Sequence, residues 1–127
     1  MQDNQLFEYA VIRVVPRVER EEFLNVGVVL FCKKQNFLEV KYKLNEKRIR
    51  NFCSEVDIET LEEHLQTFER ICRGDKNSGP IGKLPIAERF RWLTATRSTI
   101  VQTSKTHPGF SVNAAETLNK LFEQLVL

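Results

Sequence analysis

The sequence is poor in the residues that make metal, redox and disulfide sites. Its three cysteines, Cys32, Cys53 and Cys72, are odd in number and widely spaced, with no CxxC pair. That pattern argues against a disulfide framework and for a reducing compartment. The spacings among Cys53, His64 and Cys72 match no usual zinc pattern, so no metal is expected. No apolar run approaches the roughly 20 residues of a membrane helix, so no membrane association is expected. The opening residues, Met1-Gln2-Asp3-Asn4-Gln5, have neither the basic region nor the apolar stretch of a secretory leader, and the cytoplasm is the expected location. A P-loop, a dinucleotide-binding glycine fingerprint, HExxH and G-x-S-x-G are all missing, so no cofactor is expected. The net charge of +2 is too small to suggest bulk nucleic-acid or membrane binding.

What is present is an ordinary globular composition. The 127 residues, 42% of them hydrophobic, suit one domain over residues 1–127. Leu6 to Val15 (LFEYAVIRVV) is rich in β-branched and aromatic residues and reads as a strand stopped by Pro16. Val26 to Cys32 (VGVVLFC) is apolar on both faces, as in a central strand. Phe37 to Leu44 alternates and reads as a half-buried strand, joined to the previous one by a short hairpin turn. Asn45 to Cys53 reads as a short helix. Asp57 can cap a longer one ending at Gly74, with Leu61, Leu65, Phe68 and Cys72 as its stripe. Asp75 to Leu84 is a Gly/Pro loop, and Pro85 opens a helix facing inward through Ile86, Phe90 and Leu93. Thr99 to Thr103 reads as a fourth strand and His107-Pro108-Gly109 as a turn. Asn113 with Glu116 resembles a capping box for a last helix, whose stripe is Leu118, Leu121, Phe122 and Leu125. The expected class is α+β, an antiparallel sheet of three to four strands with helices packed on one face.

Charge is unevenly distributed. Residues 74–110 hold six cations (Lys76, Lys83, Arg89, Arg91, Arg97, Lys105) against Asp75 and Glu88. Within that stretch, residues 94–109 (TATRSTIVQTSKTHPG) contain seven hydroxyl residues. Arg97 offers a fork suited to carboxylate or phosphate, and Ser98 and Thr99 add donors. His107 has the chemistry of an anion partner or general base. Arg13 interrupts an apolar strand on the face of Tyr9, Val11 and Val15. A charge there must be paired or reach water, and Glu22 is its expected partner. Asn25 tolerates unusual backbone, and Gly27 inside a strand suggests a bulge or a close approach. Arg89, Arg91 and Arg97 interleave with Phe90 and Trp92, but single-strand stacking needs exposed rings, and Phe90 points inward.

The segments YAVIRVVP, EEFLNVGVVLF, RFRWLTATRSTIVQTSKTHPGF and LNKLFEQLV, in this order, resemble a bacterial domain-of-unknown-function family, number three thousand and thirty-seven. The likeness spans nearly the whole chain. It singles out Arg13, Glu22, Asn25, Gly27, Arg97, Ser98, Thr99, His107 and Gly109. It implies a stand-alone cytoplasmic bacterial protein. Genes of the family often lie beside genes for HipA-like kinases of toxin–antitoxin modules, which implies a protein partner of that type.

These observations lead to the expectation of a binding or regulatory protein. Arg13 and Arg97 converge on a basic polar cleft, and Asn25, Glu22, Ser98, Thr99 and His107 orient a small anion or a phosphorylated group of a partner. Two other readings compete with it. One is a small hydrolase or transferase using His107 as base and Glu22 as acid or orienter. The other is a nucleic-acid-binding protein.

Overall fold

The computed structural model of the chain describes residues 4–95 and 99–127, with the side chain of Val18 left out. Three strands come first: β1 (Gln5–Val14), β2 (Leu24–Cys32) and β3 (Phe37–Tyr42). Helices α1 (Glu46–Phe52), α2 (Ile58–Arg73) and α3 (Ile86–Leu93) follow, then β4 (Val101–Thr103), β5 (His107–Ser111) and α4 (Ala114–Leu125). The sheet is antiparallel with the order β3-β2-β1-β4, and β5 also pairs with β1. The α+β class and antiparallel sheet are as expected, but the sheet has five strands rather than three to four.

The additional strand is His107–Ser111, which sequence read as a turn. It pairs with Gln5–Tyr9, while β4 pairs with Ile12–Val14, so the two share one edge of β1. Ser104 carries the ladder across the gap. Its amide donates to the Val11 carbonyl at 2.8 Å, and its hydroxyl accepts from the Val11 amide at 2.8 Å. The hydroxyl stands in for a backbone acceptor, which is why this serine is buried. Pro108 is tolerated because β5 is an edge strand.

Helices were expected on one face, which holds for α1, α2 and α3 only. Alternate strand side chains divide between two cores. Ala10, Ile12, Val14, Val29 and Leu38 pack with Ile49 of α1, Leu61, Leu65 and Phe68 of α2, and Phe90 and Leu93 of α3. Phe7, Val28, Leu30 and Cys32 pack with Ala114, Leu118 and Phe122 of α4. The near-continuous apolar run of β2 follows from this sandwiching, since both of its faces are covered.

Helix ends follow their capping residues. Asn45 accepts from the Arg48 amide at 3.1 Å, Asp57 from the Glu59 amide at 3.0 Å, and Asn113 from the Glu116 amide at 3.2 Å. Gly74 ends α2 in the left-handed region at φ 68°.

One irregularity positions the polar residues considered below. Ile12 faces Gly27 but Arg13 faces Asn25, so Val26 is an extra residue in β2. A one-residue insertion reverses the facing of everything before it. Val26 therefore enters the core under α1 to α3. Asn25 turns to the α4 side, where its Nδ2 donates to the Leu125 carbonyl at 3.1 Å. Gly27 sits where a Cβ would come within 2.9 Å of the Lys41 carbonyl oxygen and the Tyr42 Cβ.

Candidate functional site

Arg13 and Asn25 are directly opposed across β1 and β2 and share the α4 side of the sheet. The Arg13 guanidinium lies over the ring of Phe23, 4.0 Å from its centroid, a cation–π contact. Phe23 itself is exposed. The Arg13 Nε donor and the Asn25 Oδ1 acceptor are both buried with no hydrogen-bond partner among the described residues. The Leu125 carbonyl can only accept, so the Asn25 amide nitrogen must face it and the oxygen is fixed away from it. Buried polar atoms are nearly always satisfied, so a donor and an acceptor left over on paired residues mark a place for a hydroxyl-bearing molecule or an ordered water.

A cleft of about 480 Å³ lies between the β1–β2 connection and the end of α1. Arg17 and Arg20 from the connection and Arg50 from α1 line it, with Glu22 and Glu55. Arg17 contacts Glu55 at 3.6 Å, Arg20 contacts Glu22 at 3.0 Å, and Arg50 contacts Glu46 at 2.9 Å. All three arginine side chains are about half exposed, so these pairs orient the guanidinium groups more than they stabilise the fold. Each guanidinium has five N–H donors in a fixed fork, enough to hold one carboxylate and still bind a second anion.

The residues singled out from sequence are distributed as follows. Glu22 is on the wall of the arginine cleft and pairs with Arg20, not with Arg13 as expected. Phe23, which carries Arg13, is the next residue, so the cleft and the Arg13 stack are contiguous in the chain. Thr99 belongs elsewhere: its hydroxyl donates to the Val101 carbonyl at 2.6 Å, and it lines a hollow with His64, Thr67 and Trp92 on the side of α2 and α3. His107 is exposed at the start of β5, its ring 5.2 Å from that of Tyr9. It lies four residues along β1 from Arg13, about 13 Å at the rise of a strand. Glu22 precedes the start of β2 and His107 pairs with Tyr9 in the middle of β1, so these two are not brought together as an acid–base pair. Arg97 and Ser98 lie outside the described residues.

Two other residues have structural duties. Gly109 lies against Phe7, whose ring carbons stand as close as 2.5 Å to where a Cβ would be. Arg89, counted above with the basic stretch, turns inward to the carbonyls of Ile71, Cys72 and Leu84 at 2.9, 2.9 and 3.0 Å. Since Phe90 is buried as well, the Arg/aromatic alternation of α3 does not form one exposed stacking face. Cys72 is buried against the same helix end, and burial pushes its thiol up to about 12, away from nucleophilic use. Arg17, Arg20 and Arg50 were not singled out from sequence; the available signal was Arg17 directly after the strand-stopping Pro16, with Arg20 three residues further on.

A family described as "Protein of unknown function (DUF3037)" matches residues 9–126. The chain belongs to this family. The DUF3037 match runs from Tyr9 in β1 to Val126 after α4, and so takes in both the Arg13–Asn25 pair and the arginine cleft. No curated protein and no solved structure matches the chain. Among the described residues, no helix is long and apolar enough to cross a membrane.

Proposed function

We propose that this DUF3037 protein is a small cytoplasmic bacterial binding protein with a regulatory role. It holds an anionic group of a partner protein, an acidic or phosphorylated segment, in the cleft of Arg17, Arg20 and Arg50. The observation that carries this reading is the placement of three guanidinium groups, from two separate segments, on one cleft of about 480 Å³. Arg13, one residue beyond the cleft wall through Phe23, extends the basic surface. Arg97 and Ser98, from the hydroxyl-rich stretch, are proposed as further donors to the same anion. The family likeness supplies the kind of partner, a HipA-like kinase in a toxin–antitoxin or defence-type module.

The test is a native pull-down with mass spectrometry on wild type and an Arg17→Ala, Arg20→Ala, Arg50→Ala variant in parallel, followed by titration of the captured protein. Half-exposed arginines contribute about 0.7 kcal/mol each, so the triple variant should lose about thirtyfold in affinity. Binding should also weaken with salt. A triple variant that retains its partner at wild-type affinity rules the cleft out.

A further inference from the structure

On its own side of the sheet, α4 lies mainly over β2 and β3. Farther out, on β1, β4 and β5, the same face carries side chains with free surface. Tyr9 and Arg13 of β1 and Gln102 of β4 are half-buried, and His107 of β5 is exposed. The register places them together, with His107 opposite Tyr9 and Gln102 opposite Arg13. The His107 ring is 5.2 Å from that of Tyr9, and the exposed Phe23 carries the Arg13 guanidinium at 4.0 Å. Two ring platforms therefore stand about 13 Å apart along β1. Lys105, exposed between β4 and β5, adds a second cation at this edge. Among the described residues of β1, β4 and β5, none on this face is acidic.

We propose that this part of the sheet binds single-stranded nucleic acid. Bases stack on His107 and on Phe23, and Arg13 and Lys105 face the phosphates. Each part of the strand answers an observation. An exposed ring beside a cation suits an unpaired base, because every base has a flat face and a phosphate next to it. The spacing of the rings leaves room for about two or three bases, as is usual for a strand held on a sheet. The absence of acids on these strands leaves the two cations to act on a negative backbone. Gln102 adds an edge contact: its Nε2 donates to the Thr99 carbonyl at 2.9 Å, which leaves Oε1 to accept from a base N–H. These features favour a nucleic acid over an acidic peptide. A carboxylate would meet the cations, but it has no flat face for the rings and no donor for Gln102 Oε1. A duplex is disfavoured because its bases are already stacked on one another. The surface is distinct from the Arg/aromatic alternation of α3, and it borders the arginine cleft through Phe23 without depending on it.

The experiment measures fluorescence anisotropy of labelled mixed-sequence RNA and DNA strands of about 12 nucleotides with the full chain at low salt. A duplex of the same sequence, an abasic strand of the same length and a glutamate peptide of equal charge serve as comparisons. At least one of the two strands should bind saturably, and the tighter one identifies the preferred sugar. The duplex, the abasic strand and the peptide should each bind about tenfold more weakly or worse. His107→Ala and Phe23→Ala should each lose about tenfold, whereas His107→Phe and Phe23→Tyr, which keep a ring, should stay within about twofold of wild type. With two phosphate contacts, log affinity should fall against log salt with a slope of about −1.4. The Arg17, Arg20, Arg50 triple variant should still prefer the base-bearing strand to the abasic one, whether or not that cleft holds a partner. The proposal is overturned by any of these results: no saturable binding up to about 100 μM, equal affinity for the duplex or the abasic strand, equal affinity for the glutamate peptide, which would mark a protein-binding surface, or alanine variants at both rings that bind as wild type does.

Discussion

Replacing Arg89 by methionine should be among the most destabilising single changes outside the apolar cores. The Arg89 side chain reaches from α3 to the end of α2, where Nη1 donates to the carbonyls of Ile71 and Cys72 at 2.9 Å, and Nε donates to Leu84 at 3.0 Å. The last carbonyls of a helix lack intrahelical donors and carry its negative dipole end, so a cation there satisfies both needs. Methionine keeps the apolar stem and removes the donors. Three partly buried, charge-assisted bonds at about 1 kcal/mol each predict a loss of about 3 kcal/mol, set below the upper range because the site is only partly dry. Against a usual total of about 5–15 kcal/mol this is a large fraction. The single tryptophan, Trp92, lies on α3 beside the change and provides the fluorescence signal. With a urea slope of about 2 kcal/mol per molar, the midpoint should fall by about 1.5 M. Arg89→Lys should recover less than half of that, because one ammonium cannot span carbonyls on both sides. A methionine variant whose midpoint moves by less than about 0.3 M would refute the reasoning, and with it the claim that α2 and α3 are held together by this side chain.

Gly27→Ala should cost about 1–3 kcal/mol in chemical denaturation, because the added methyl meets backbone of β3 that cannot move aside cheaply; an unchanged midpoint counts against the observed register. Ser104→Ala should cost about 1–3 kcal/mol by leaving the Val11 amide unpaired in the sheet, and amide exchange at Val11 should accelerate; unchanged protection there would refute it. Stability should also fall with pH in the alkaline range. The buried Cys72 thiol is raised to about 12 by desolvation, and Tyr42 is raised first by burial and then by Glu69 and Glu62. Below pH 9 the thiol is protonated in both states and stability is complete. Between about 9 and 12 only the unfolded thiol ionises, so Cys72 alone removes about 1.4 kcal/mol per pH unit. Cys72→Val should flatten that slope, and a variant that melts with the wild-type pH profile would contradict this assignment.

Much of the architecture was legible along the chain because its causes are local. β1 and β2 could be read from β-branched runs and β3 from its alternation, since side-chain period and burial are coupled in a strand. The ends of α2 and α4 were legible in Asp57, Gly74 and Asn113, which act within a turn of their own position. β5 was not, because His-Pro-Gly has a turn's composition and only the exposed edge of β1 makes a strand of it. Nor was the side on which α4 packs: its stripe has the right period, but β2 is apolar on both faces and so offers no preference.

The site residues divide in the same way. Arg13 was conspicuous as a charge in an apolar run, and the chemistry of each candidate, guanidinium, amide or imidazole, was decided by residue type alone. Which of them meet was decided by the fold. The bulge at Val26 turns Asn25 to the α4 side, and the β1–β2 connection brings Arg17 and Arg20 to Arg50. The same folding sends Thr99 to the α2 and α3 side and commits Arg89 to a helix end. These are long-range pairings set by register and packing, and no local pattern encodes them.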